Sequence, residues 1–204
     1  MKLWLPQVAE AAAQGGYAAI DGPEAFILAQ EGSPTQSYEI DDGKTAQTPD
    51  KTVSDRTTGE IVAQLEGVKG FCENVAPEYR VDCLSERLKN VARTLPTQGD
   101  YDTVRRALNV ASLKLNRLSR QNRSKDLPRA PARVTEGGTT TSTARDLTPV
   151  STDAVERTNQ AASAILQEAE TKLLRSSENS TRRKIQFQRI ADAIGSNKVL
   201  LRSS

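Results

Sequence analysis

Apolar residues recur along the middle of this chain at helical spacing. Ile61, Leu65, Val68, Cys72 and Val75 are separated by 4, 3, 4 and 3 residues. That spacing draws one stripe along a helix. Pro77 interrupts the pattern, and Glu78 follows it as suits the first turn of a new helix. The stripe resumes with Leu84, Leu88, Val91 and Leu95, and Pro96 and Gly99 end it. A third stripe, Val104, Leu108, Ala111, Leu115 and Leu118, follows Asp100 or Asp102 as its N-cap. Three consecutive stripes with short connections predict antiparallel neighbours crossing at about 20°.

Two further stretches predict a C-terminal helical pair. One starts near Ser151 or Thr152 and carries Val155, Ala162, Ile165, Ala169 and Leu173. The other starts after Asn179 or Ser180 and carries Ile185, Phe187, Ile190, Ala191 and Ile194, with Gly195 as a stop or bend. Two helices alone bury too little surface for independent stability. The pair is therefore expected to dock on the first three helices or on another chain.

Elsewhere the pattern fades. Pro6–Gln14 and Pro23–Gln30 each read as two helical turns, and Asp41–Thr58 is nearly all polar, Gly and Pro. Residues 123–152 hold Pro128, Pro131, Gly137-Gly138, a Thr/Ser run over 139–143 and Pro149. That composition predicts a linker without fixed structure. The expected organisation is a weakly structured acidic region (1–58), a three-helix unit (59–122), a disordered linker (123–152) and a helical pair (153–204). The fold class is all-α: a small antiparallel helical bundle with a disordered N-terminal tail and central linker.

Composition adds little core and much charge. There is one Trp, Trp4, among 204 residues. The apolar content is mostly Leu, Val, Ile and Ala. The formal net charge of +2 conceals blocks. Residues 1–55 carry three basic and nine acidic side chains, whereas 100–133 carry nine basic and three acidic. Residues 172–204 carry eight basic and two acidic. No apolar run approaches the length of about 18 residues that a membrane helix needs. Near Met1, Lys2 and Leu3-Trp4-Leu5 precede an Ala-x-Ala run, which resembles the end of a secretory signal interrupted by Pro6 and Gln7. A short amphipathic helix is the competing reading.

Cys72 and Cys83 are the only two cysteines. On one continuous helix their Cα atoms would stand roughly 16 Å apart, far beyond the reach of a disulfide at about 4.4–6.8 Å. A reversal at Pro77 brings them together. A disulfide and a pair of buried thiols both remain open at this point. A thioredoxin-like role lacks its C-x-x-C, and a metal site lacks both His and clamp spacing. No cofactor is implied.

The chain contains no His, which excludes Ser-His-Asp and Cys-His catalysis. Phosphate-cradling glycine loops are absent. The carboxylate pairs Asp41-Asp42 and Glu168/Glu170 read as solvated surface. No catalytic residue is assigned. Two basic clusters are candidate anion-binding sites: Arg117, Arg120 and Arg123, continuing to Lys125, Arg129 and Arg133, and Arg182, Arg183 and Lys184, with Arg189 nearby. Phe187 is the only ring close to either, so nucleic acid is disfavoured for want of stacking partners.

The expected function is a non-enzymatic helical interaction or assembly protein. It would present its apolar stripes to a protein partner or a second copy, in the periplasm or outside the cell, with the cytoplasm as the alternative. The competing classes are a basic-patch binder of nucleic acid or anionic polymer and, more weakly, a carboxylate-dependent hydrolase.

Overall fold

Ser54 opens the first helix: its hydroxyl accepts from the Thr57 N–H, satisfying one of the free donors of the first turn. The computed structural model describes residues 52–202. Expectations for 1–51, including the two short N-terminal helices, the tail and the Ala-x-Ala run, lie outside the described residues. Helix α1 spans Asp55–Glu73, α2 Pro77–Thr94, α3 Tyr101–Gln121, α4 Val155–Ser176 and α5 Thr181–Ser196. The polar stretch ending at Thr58 therefore gives its last residues to α1. Residues 152–154 and 197–201 form 3₁₀ turns flanking α4 and α5.

The fold is all-α, with one small two-stranded sheet among the described residues. Helices follow one another around a closed ring: α1 packs on α2, α2 on α3, α3 on α4, α4 on α5, and α5 returns to α1. The C-terminal pair thus docks on the first three helices of its own chain. All five residues of the α1 stripe are buried, as are Leu84, Leu88, Val91, Val104, Leu108 and Leu115. The core is continued by Leu166, Leu173, Phe187, Ile190 and Ile194. Leu118 is only partly buried. Ile185 departs from its expected place and is 57% exposed, because the buried face of α5 turns through Gln186, Phe187 and Ile190 instead.

Pro77 occupies the first turn of α2, where its missing N–H costs nothing. The reversal at 74–76 sets Cys72 beside Cys83, with 5.9 Å between Cα atoms and a disulfide between them. Both cysteines are fully buried. Gly195 does not stop α5, which runs on to Ser196. A Cβ there would meet Glu170 Oε1 at 3.1 Å, so glycine makes room for the Glu170–Lys198 ion pair at 2.8 Å.

The largest correction concerns residues 123–152. They are not a disordered linker but an ordered arm. Strands β1 (Arg133–Glu136) and β2 (Thr139–Ser142) pair antiparallel. Gly137 and Gly138 have φ of 54° and 81°, the left-handed pair that a two-residue hairpin turn demands. The pairing continues below the hairpin through isolated bridges Ala130–Leu147 and Arg123–Val150. Leu147 and Val150 are buried. The prolines sit at 128, 131 and 149, outside those bridged positions, where a missing N–H is tolerated. The arm is fastened to α2 and to Asn122 at the end of α3.

Candidate anion-binding cleft

The arm is held by a row of residues on α2. Residues 78, 82 and 86 are four apart, hence on one helix face. The Val150 N–H donates to the Glu78 carbonyl at 2.8 Å, and the Tyr79 hydroxyl donates to the Pro128 carbonyl at 2.7 Å. Asp82 is fully buried. Arg145 grips it with both terminal nitrogens, at 2.6 and 2.8 Å, and the Thr148 N–H donates at 2.7 Å. Asn116 Nδ2 and the Ser119 hydroxyl of α3 complete the shell at 3.0 and 3.2 Å. Burial by itself would raise the Asp82 pKa. The donors outweigh it: the Arg145 guanidinium first, then the Thr148 N–H and Asn116, hold the carboxyl below its ordinary value. The same bonds raise the pKa of Arg145 against its own desolvation.

Glu86, one turn on, is 5% exposed. Its Oε1 accepts from Asn90 Nδ2 at 2.8 Å and from the Ala144 N–H at 3.0 Å. Its Oε2 accepts no hydrogen bond; the nearest cation atom, Arg87 Nε, is 3.7 Å away. Ser85 and Ser112 tie α2 to α3 beneath this row, each hydroxyl donating to the other's carbonyl at 2.9 and 2.7 Å.

Between α2, α3 and the arm lies a cleft of about 400 Å³ whose lining includes Glu86, Lys89, Arg93, Arg120, Arg129 and Arg145. Lys89 and Arg93 come from one face of α2, Arg120 from the last turn of α3 and Arg129 from the outgoing limb of the arm. Arg145 is spent on Asp82. Lys89, Arg93, Arg120 and Arg129 pair with no carboxylate among the described residues. Four unpaired cations thus surround a concavity with one carboxylate in its wall. Their fields add in a partly enclosed site and favour an anion.

The structure divides the first basic cluster that the sequence marks. Arg120 and Arg129 enter the cleft; Arg117 and Arg123 do not line it. The second cluster is partly spent within the fold. Arg183 pairs with Asp100, Arg189 pairs with Asp55 at 3.1 Å, and Arg182 and Lys184 make no ion pair among the described residues. Asp100 makes no side-chain cap for α3; it serves Arg183 and the Val53 N–H instead. Glu168 pairs with Lys114 and Lys172, and its carboxyl lies low, at about 2, chiefly through the Lys114 bond. Sequence reasoning misses Lys89, Arg93, Arg145, Asp82 and Glu86. Only the i, i+4 spacings of Lys89 with Arg93 and of Asp82 with Glu86 hint that each pair shares a face.

A second concavity, about 570 Å³, lies between α1, α2 and the hairpin. Arg87 stacks over the Phe71 ring there, 3.5 Å from its centroid, a cation–π contact in its lining. Among the described residues no group of His, Cys, Asp and Glu is placed to hold a metal ion, and no helix is long and apolar enough to cross a membrane. Comparison with protein-family models, with curated proteins and with solved structures finds no match to this chain.

Proposed function

We propose that this protein is a non-enzymatic binding protein whose contact site is the basic cleft, and that its ligand is anionic. The observation that carries the reading is the convergence of Lys89, Arg93, Arg120 and Arg129, unpaired, from three separate segments on one cleft. Keeping unpaired like charges together costs free energy, and an anionic ligand recovers it. The alternative contact, through apolar stripes, has less support: those stripes are consumed in the core of this chain. Among the described residues, the large apolar side chains left exposed are Val110, Leu113, Ile185 and Val199, spread over α3, α5 and the C-terminal turn.

A hydrolytic reading has less support as well. Both oxygens of Asp82 are held by Arg145 and its other donors, so it is not free to act as a base. The Ser85 and Ser112 hydroxyls are spent on carbonyls. The Cys72–Cys83 disulfide supports placing the protein in an oxidising compartment, periplasmic or extracellular.

The test is binding of the full chain to dextran sulfate over a salt series. Affinity is expected to fall as salt rises, and Arg93→Glu with Arg120→Glu to lower it by about 100-fold, as two charge-assisted contacts are lost. Binding that the double variant leaves unchanged would overturn the reading.

A further inference from the structure

Deepening the anion-binding reading and resting on it, we infer that the anion is presented by a lipid bilayer. The basic cleft and the outer face of α3 together form a peripheral docking surface for membranes that carry anionic lipid. Leu113 lines the cleft beside Lys89, Arg93, Arg120 and Arg129, yet it is 65% exposed. A small hydrated anion gives a leucine nothing to pack on. Val110, one turn earlier on α3, is 40% exposed.

These apolar side chains share a face with cations. Arg106, Val110, Leu113, Arg117 and Arg120 are spaced 4, 3, 4 and 3, which draws one stripe along α3. All five are exposed, on the side away from the buried Val104, Leu108, Ala111 and Leu115. The stripe runs about 21 Å along the helix. It extends past the cleft, because Arg106, Val110 and Arg117 do not line it. Arg106 pairs with Asp102 at the start of the helix, and Lys114 on the flank pairs with Glu168. Arg117, like Arg120, pairs with no carboxylate among the described residues. Residues 103–125 contain no Asp or Glu, and the carboxylate of the cleft wall, Glu86, is 5% exposed.

A helix ridge with apolar tips between cations suits a planar, deformable interface. Lipid phosphates neutralise the arginines and Lys89, while Leu113 and Val110 enter the boundary between headgroups and acyl chains. An acidic peptide seated in the cleft would leave Val110 and Arg117 uncovered. A nucleic acid would meet no aromatic side chain in the cleft on which to stack a base.

The experiment is cosedimentation of the full chain with vesicles of phosphatidylcholine alone and of equal parts phosphatidylcholine and phosphatidylglycerol, with dextran sulfate and polyglutamate as soluble comparators. The mixed vesicles are expected to bind the chain and to release it as salt rises, and the neutral ones to bind little. Leu113→Gln is expected to weaken vesicle binding about tenfold, by loss of apolar burial, and to weaken dextran sulfate binding less. Arg93→Glu with Arg120→Glu is expected to lower vesicle binding by about 30-fold or more. Equal binding to the two kinds of vesicle overturns the lipid inference, and so does a Leu113→Gln variant that loses nothing on vesicles or loses equally on dextran sulfate. Polyglutamate that binds as tightly as the mixed vesicles, charge for charge, assigns the surface to an acidic protein instead. A wild type that binds dextran sulfate but not the mixed vesicles overturns the lipid inference and leaves the anion-binding reading standing. If the double arginine variant binds vesicles and dextran sulfate as the wild type does, both readings fall.

Discussion

The helical ring and the arm are two regions of one molecule held by different forces. The ring is held by apolar burial: Leu65, Leu88, Leu108, Leu166 and Phe187 have no exposed surface. The arm is held largely by polar bonds to α2, through Glu78, Asp82 and Glu86, with Leu147 and Val150 as its buried apolar contribution. Burial is non-directional and tolerates small shifts. Hydrogen bonds to a buried carboxylate are directional, and losing one partner strands the others. The arm also builds the cleft, since Arg129 and Arg145 come from its two limbs. A segment that looks like a tether therefore belongs to the site.

The comparison can be broken most forcefully from the side of the ring. Leu108→Ala is expected to cost about 2–5 kcal/mol by loss of apolar contact and creation of a cavity. A urea or thermal melt measures it, and an unchanged midpoint would show that α3 is not core. The loss should be global, with arm and helices unfolding together.

Asp82→Asn probes the arm. Roughly 2–3 kcal/mol is expected at neutral pH, because Arg145 and the Thr148 N–H lose their charged acceptor. Hydrogen exchange should accelerate at Thr148 and Ala144 before it does in the helices. The pH dependence follows from the lowered pKa. Unfolded, Asp82 titrates near the ordinary 3.8; folded, it titrates below that. Its contribution to stability is fully present above the unfolded value and is lost as pH falls through the folded one. Denaturation midpoints at about pH 7 and about pH 3 should therefore differ more in the wild type than in Asp82→Asn. An equal acid loss in both would assign the acid sensitivity to other carboxylates.

The smallest effect has the opposite sign. Gly67 lies within α1, and a Cβ there would meet no atom within 4 Å. Gly67→Ala is expected to stabilise by about 0.5–1 kcal/mol, through helix propensity and reduced freedom of the unfolded chain. A lowered melting temperature would mean that the open face of α1 is needed for something the helix itself does not supply.

Much of the ring is legible in the residue pattern. The spacings from Ile61 to Leu115 mark helices whose buried faces are the apolar ones, and Pro77 with the two cysteines marks the reversal between α1 and α2. Leu166 escapes the pattern because its neighbour Ile165 satisfies the same stripe, and both are long apolar residues one step apart. Ile185 fits the α5 stripe though it faces out, because an apolar residue at a helix start matches the period wherever the chain turns in. The cleft is half legible. Arg120 and Arg129 stand out as a run of basic residues, while Lys89 and Arg93 are hidden in a charge-balanced segment.

What the sequence by itself determined is where helices form, which face of each avoids water, and that Cys72 can meet Cys83 only if the chain reverses at Pro77. Those properties are local: they depend on spacing along the chain and on the backbone geometry of proline. Only the tertiary structure decided that residues 123–152 are ordered, that α5 closes on α1, and that four cations from α2, α3 and the arm share one cleft. A polar segment carries no periodic signal. Its order depends on donors and acceptors such as Asp82 and Arg145, 63 residues apart, and nothing short of the folded chain brings them together.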